Sequence, residues 1–229
     1  MTINTGPHLI IFDCDGTLVD SQQIIVQTMQ ETFAALGLAE PTPGDVKSLI
    51  GRSLEIVIDT LLPEGSDHDP YAVAVDYRHR FHAIRAAGTA PELLYPGARE
   101  LISELIEQDT VLLGIATGKG RRGIDDLLDK EGWERHFVTI QTADNAPSKP
   151  HPGMVHQALS ESGVPAGDAV VIGDSIYDME MALAASVSCF GVAWGYNAEA
   201  ALSAAGAHAI ARDFDHLSGL VKAFQQGGS

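Results

Sequence analysis

The stretch LIIFDCDGTLVDS ends an apolar run, Leu9 to Phe12, in two aspartates, Asp13 and Asp15, one residue apart. Side chains alternate along a strand, so both carboxylates leave the backbone on one side and Cys14 on the other, which makes Cys14 a poor nucleophile candidate. At roughly 4 Å and an effective dielectric of about 20, two such charges repel by about 4 kcal/mol. A cation or a proton is needed to hold them together. D-x-D-G also begins a calcium loop, but that loop needs a third ligand before its glycine and a glutamate at its twelfth position, where Ile24 stands.

Other segments offer polar residues of complementary type. Thr117-Gly118-Lys119 follows an apolar run, and Thr117 alone suits a helix cap. Lys149 precedes Pro150, which disfavours a helical conformation, and in isolation it reads as a solvated charge. In AVVIGDSIYD, Ser175 and Asp178 have the spacing of a capping box, a reading that leaves Asp174 without a structural task. Taken together, Asp13, Asp15, Thr117, Lys149, Asp174 and Asp178 read as one site. Carboxylates without clustered His or Cys point to Mg²⁺ as cofactor, which favours a few carboxylates, water and substrate phosphate. Mg²⁺ and Lys149 together would balance the carboxylates and a dianionic phosphoryl group.

Short apolar runs alternating with helix-period stretches must position these residues. The predicted strands are Leu9–Phe12, Val111–Thr117, Phe137–Gln141, Ala169–Gly173, Cys189–Trp194 and His208–Ile210, with helices at 98–108 and 153–162 among those between them. Their continuous hydrophobicity predicts a parallel α/β sheet buried on both faces. In such sheets ligands bind beyond the carboxyl ends of the strands. Residues 22–90 break the alternation and read as successive helices, punctuated by Pro and Gly at 41–44, 63–65 and 88–91. The expected organisation is a core of residues 1–21 and 91–229 carrying an all-helical insertion over 22–90.

Bulk properties narrow the partners. The 229 residues are 45% hydrophobic and 20% charged, as in an ordinary globular protein. Fourteen basic against thirty-one acidic residues give a formal charge of −17, which argues against nucleic acid and anionic membranes as partners. The stretch MTINTGPHLI has no leader pattern and no run reaches membrane-spanning length, so a cytoplasmic location with Cys14 and Cys189 reduced is expected. Whether the chain is a monomer or a dimer is left open.

In order and spacing, the four polar segments resemble the signature motifs of the haloacid dehalogenase superfamily, in the branch with a helical cap after the first motif. Within it, FDCDGTLVDS, ATGK, SKPHPGM, IGDSIYDMEMA and VAWGYNAEAALSAAGAHAIARDFDHL are similar to the phosphoglycolate phosphatases. The resemblance implies a Rossmann-like core and a cap closing over the site. It also implies Asp13 as nucleophile forming an aspartyl-phosphate, Asp15 as general acid and base, and Thr117 with Gly118 holding phosphate oxygens. Lys149 would neutralise developing charge, and Asp13, Asp15 (by its carbonyl), Asp174 and Asp178 would surround Mg²⁺. Gly16, Lys119 and Arg52 join as substrate-binding residues. Arg52, in the Gly51-Arg52-Ser53 loop, suits a bidentate pair with a substrate carboxylate or a plain surface position.

The resemblance predicts a phosphomonoesterase acting on a small phosphorylated metabolite, 2-phosphoglycolate first. Asp15 and Asp174 favour phosphorus over halocarbon chemistry, whereas a β-phosphoglucomutase-type mutase or another phosphatase of the superfamily, such as a pyrophosphatase, keeps the same core residues. A phospho-accepting receiver module shares the ingredients but not the order or the 22–90 insertion. The basic run Arg78, His79, Arg80, His82 and Arg85 reads as a solvated helix face, and Trp194 and Tyr196 as packing.

Overall fold

The computed structural model describes residues 6–227. The first five residues, part of the stretch read above for a leader, and the last two lie outside it. The chain begins with β1 (His8–Phe12), the short β2 (Val19–Asp20) and helices α1 (Gln22–Ala35), α2 (Pro43–Leu49), α3 (Leu54–Leu61) and α4 (Pro70–Ala87). It returns through β3 (Leu93–Leu94) and then alternates. The order is α5 (Ala98–Ile106), β4 (Val111–Ala116), α6 (Arg121–Glu131), β5 (Phe137–Gln141), α7 (Gly153–Ser162), β6 (Ala169–Gly173), α8 (Ile176–Ala184), β7 (Ser188–Val192), α9 (Glu199–Ala204), β8 (Ala209–Ala211) and α10 (Phe214–Gln225). The predicted strands all form, with ends displaced by a residue or two.

The main sheet is parallel, in the order β5-β4-β1-β6-β7-β8. Central β1 is buried on both faces. Ile10 and Phe12 pack with Leu101, Ile124 and Leu217 on one side, while Leu9 and Ile11 pack with Met154, Ala158 and Met179 on the other. Helices therefore cover both faces, which explains why no polar alternation shows along the strand. The order diverges from β1 in both directions, so its carboxyl end, flanked by β4 and β6, is where such a sheet opens a crevice.

Helices α1 to α4 gather around apolar residues of their own, including Met29, Phe33, Val46, Ile58 and Ala74. Local signals define their ends. Thr42 and Asp45 make a reciprocal capping box on α2, Asp69 accepts from the Tyr71 and Ala72 amides ahead of α4, and left-handed Gly88 closes α4. β2 and β3 pair antiparallel, Val19 with Leu94 and Asp20 with Leu93, so the chain enters and leaves the helical segment side by side. Among the described residues no helix is long and apolar enough to cross a membrane.

Candidate active site

Asp13 directly follows β1, and its amide donates to the Ile172 carbonyl of neighbouring β6, whose end carries Asp174. Asp178 lies one turn into α8. One carboxylate oxygen from each of Asp13, Asp174 and Asp178 falls within 4.8 Å of the others, and all three residues are buried. Lys149 enters from the loop after β5; its ammonium, fully buried, lies 3.0 Å from Asp13 Oδ1 and 2.6 Å from Asp178 Oδ1. Sequence and structure thus agree on the convergence of these strand ends.

The electrostatics follow from burial. Asp13 is pushed up to about 7, chiefly by desolvation, with Lys149 pulling it down and Asp178 pushing it further up. Asp174 lies well above the carboxylate range for the same first reason, then because of Asp13 and Asp178. Burial works against the Lys149 ammonium, but Asp13 and Asp178 outweigh it and keep the lysine charged. One ammonium faces three carboxylates. Asp13 Oδ2 is also buried with no hydrogen-bond partner, an omission that ordinarily costs about 1–3 kcal/mol. An oxygen-rich, negative pocket with an unsatisfied acceptor fits a small hard cation.

Each remaining carboxylate oxygen is accounted for. Asp174 accepts from Thr17 Oγ1 (3.2 Å) and from the Tyr196 amide (2.8 Å). Asp178 Oδ2 accepts from Ser175 N and Oγ in the predicted capping box, while its Oδ1 takes Lys149, so this residue serves the helix and the site at once. Tyr196, read from the sequence as packing, instead orients two carboxylates: its amide holds Asp174, and its hydroxyl accepts from the Ser21 amide (3.1 Å), while the Ser21 hydroxyl donates to Asp15 Oδ1 (2.7 Å).

Asp15 reveals a second network. Lys119 Nζ sits 3.0 Å from Asp15 Oδ1 and 2.7 Å from Glu92 Oε1, and Glu92 also pairs with Arg85 of α4 at 3.1 Å. Lys119, expected among the substrate-binding residues, lines the cavity and is engaged by two carboxylates that together hold its pKa up against the opposing effect of burial. Glu92 escaped sequence reasoning because it follows the helical segment with no motif around it.

Thr117 is buried, and its Oγ1 accepts from the Lys119 amide. It does not cap the next helix, which starts later with Gly120 as its N-cap. Gly118 abuts the backbone carbonyls of Gly51 and Arg52, so the loop between α2 and α3 does reach the site; Ser53 N donates to Ser148 Oγ (2.9 Å) beside Lys149. The Arg52 guanidinium lies 5.4 Å from the Tyr177 ring centroid, and its Nε is buried without a partner. A cavity of about 420 Å³ separates helices α1 to α4 from the sheet end, lined by Asp13, Asp15, Thr117, Gly118, Arg52 and Lys119 among others. Arg78, His79, His82 and Arg85 also line it, so most of the basic run faces this cleft rather than only bulk water.

Gly16 bends at φ 86°, and a Cβ there would overlap the Asp174 carboxylate. Gly16→Ala combines left-handed strain with that collision and is expected to cost about 2 kcal/mol, lowering Tm by roughly 4–8 °C. An unchanged melting curve would contradict this packing.

The family described as haloacid dehalogenase-like hydrolase matches residues 10–192. A phosphoglycolate phosphatase from Pseudomonas fluorescens is 32% identical over 198 residues, covering 83% of this chain and 71% of that protein. Another from Photobacterium profundum is 29% identical over 222 residues, covering 95% and 96%. Among solved structures, a hydrolase from Pseudomonas syringae superposes with a TM-score of 0.82 at 25% identity, over 94% of this chain and 98% of that one. The chain belongs to the haloacid dehalogenase-like hydrolases, and is therefore an enzyme rather than a receiver module.

Proposed function

We propose that the protein is a Mg²⁺-dependent phosphomonoesterase that hydrolyses a small phosphorylated metabolite through an aspartyl-phosphate. The observation that carries this reading is the convergence of Asp13, Asp174 and Asp178 on Lys149 with one Asp13 oxygen left without a partner. Asp13 and Asp174, with the Asp15 carbonyl, are the residues that would hold the metal; Asp178 keeps Lys149 in place. When bound, Mg²⁺ supplies positive charge that draws in the phosphoryl oxygens and offsets the crowded carboxylates.

The chain's own residues then divide the work. Asp13 attacks phosphorus with a carboxylate oxygen, forming a P–O bond as the ester P–O bond breaks. Asp15, aimed by Ser21 and Lys119, gives its proton to the departing alkoxide and takes one back from the water that next attacks phosphorus, releasing Asp13 and inorganic phosphate. Thr117 and the Gly118 amide hold phosphoryl oxygens, and Lys149 balances charge on Asp13 and the phosphoryl group. Residues 22–90 act as a cap on a core of 1–21 and 91–229, with Arg52 brought to the phosphoryl end by the loop against Gly118.

The names of the relatives make 2-phosphoglycolate the first metabolite to assay. The decisive experiment uses p-nitrophenyl phosphate. Repeated release of phosphate with Mg²⁺, abolished by EDTA and restored by excess Mg²⁺, is expected. Metal-independent turnover, or a single stoichiometric phosphorylation that persists, would overturn the proposal.

A further inference from the structure

The cavity beneath helices α1 to α4 is larger and chemically more varied than a two-carbon acid requires. Its volume of about 420 Å³ lies within the roughly 300–1,000 Å³ of pockets that take ligands of drug-like size. Asp13, Asp15, Thr117 and Gly118 form the reactive end. Met29, Val46, Ile50, Val57 and Tyr77 supply apolar wall. These five are buried, and four of them belong to the apolar core of the helical segment itself. The wall therefore keeps its shape if the segment moves as a unit, and an apolar body entering there meets a surface already built for it.

Cations form the third element. Arg78 is paired with Glu55, and Arg85 with Glu92 and Asp126, so both are committed. Arg122, in the first turn of α6, also lines the cavity, and among the described residues no carboxylate pairs with it. His82 and His79 of α4 face the same space, and His82 lies close enough to Arg122 to sense its charge. Two carboxylates stand near: Asp144, on the cavity rim, accepts from the Arg121 amide at 2.6 Å, and Asp126, whose charge also reaches His82, is paired with Arg85. In a chain of formal charge −17, an arginine without a carboxylate partner, flanked on the same cavity wall by two imidazoles able to donate N–H hydrogen bonds, marks a place where an anion is received.

Building on the phosphatase reading above, we propose that the preferred substrate is a phosphate monoester whose alcohol half joins an apolar, ring-sized body to a second anionic group. The body lies against the Met29–Val46–Val57 wall, and the second anion, carboxylate or phosphate, is met by Arg122 with His82 and His79. Glycolate offers a carboxylate but nothing to fill the apolar wall.

The test compares three esters of alkyl alcohols on the wild-type enzyme with Mg²⁺: 2-phosphoglycolate, benzyl phosphate and 4-carboxybenzyl phosphate. Benzyl phosphate is expected to exceed 2-phosphoglycolate in kcat/KM by at least about tenfold, and the added carboxylate to give about tenfold more. The bisphosphate of 1,4-benzenedimethanol reports whether a second phosphate serves as well. Arg122→Ala should bring the ratio of 4-carboxybenzyl to benzyl phosphate close to one. Val46→Phe, checked for folding by thermal melt, should erase the benzyl advantage. If all three esters are hydrolysed and 2-phosphoglycolate is preferred, or the ratio survives Arg122→Ala, the substrate class is wrong while the phosphatase reading stands. Release of phosphate from none of them overturns both.

Discussion

Asp13→Asn is expected to lower phosphate release by about 10⁴-fold or more while the protein stays folded. The amide oxygen that replaces the carboxylate is a poor nucleophile toward phosphorus, so the first bond to form is lost and no other group is placed to make it. The structural consequence runs the other way. Asp13 is a buried charge among other buried carboxylates, and Lys149 keeps Asp178 as a partner at 2.6 Å after the change. Removing one member of a crowded like-charged set relieves repulsion, so Tm should hold or rise slightly. Circular dichroism melts beside single-turnover phosphate release separate the two effects. A variant within tenfold of the wild-type rate would remove Asp13 as nucleophile.

Lys149→Met should fail in both respects. Methionine fills the space but leaves Asp13, Asp174 and Asp178 together with no side-chain cation between them. Breaking a buried ion pair from one side typically costs about 3–5 kcal/mol, which for a chain of this size is a fall in Tm of roughly 6–20 °C. Turnover should drop by about 10³-fold, because the charge that offsets the transferring phosphoryl group is gone. Added Mg²⁺ should recover part of the stability, since a ligand bound by the folded state alone shifts the equilibrium by mass action, but not the rate. Wild-type stability without metal would show that the ammonium does not hold the carboxylates together.

The fold and the reactive end were legible because they have local signatures. Apolar runs ending in Asp13 and Asp174 announce buried parallel strands with polar tips, whereas Lys149 reads alone as a solvated charge and joins the site only when the other segments are set beside it, where the structure buries it. What the sequence hid depends on surfaces meeting across the chain. Arg78 to Arg85 look like the wet side of a helix, since nothing in α4 itself says that α6 and the sheet end stand opposite. Tyr196 holds Asp174 through a backbone amide, a donor every residue carries, and its hydroxyl meets Ser21 across 175 residues of sequence, so neither contact shows in the local pattern. Lys119 looked available for an anionic ligand until Glu92 arrived beside it from the return of the helical segment. Thr117 suited a cap, but the helix begins further on, at Arg121.

The strand order also dictates when the site comes into being. β1 is made early in synthesis but sits between β4 and β6, so Asp13 meets Asp174 only after most of the polypeptide has been produced; the Thr17 to Asp174 hydrogen bond alone closes a separation of 157 residues. Contacts that distant form slowly and late. A nascent chain stalled before β6 holds the aspartate pair yet lacks its counterparts, and during refolding the appearance of activity should coincide with completion of the sheet rather than precede it.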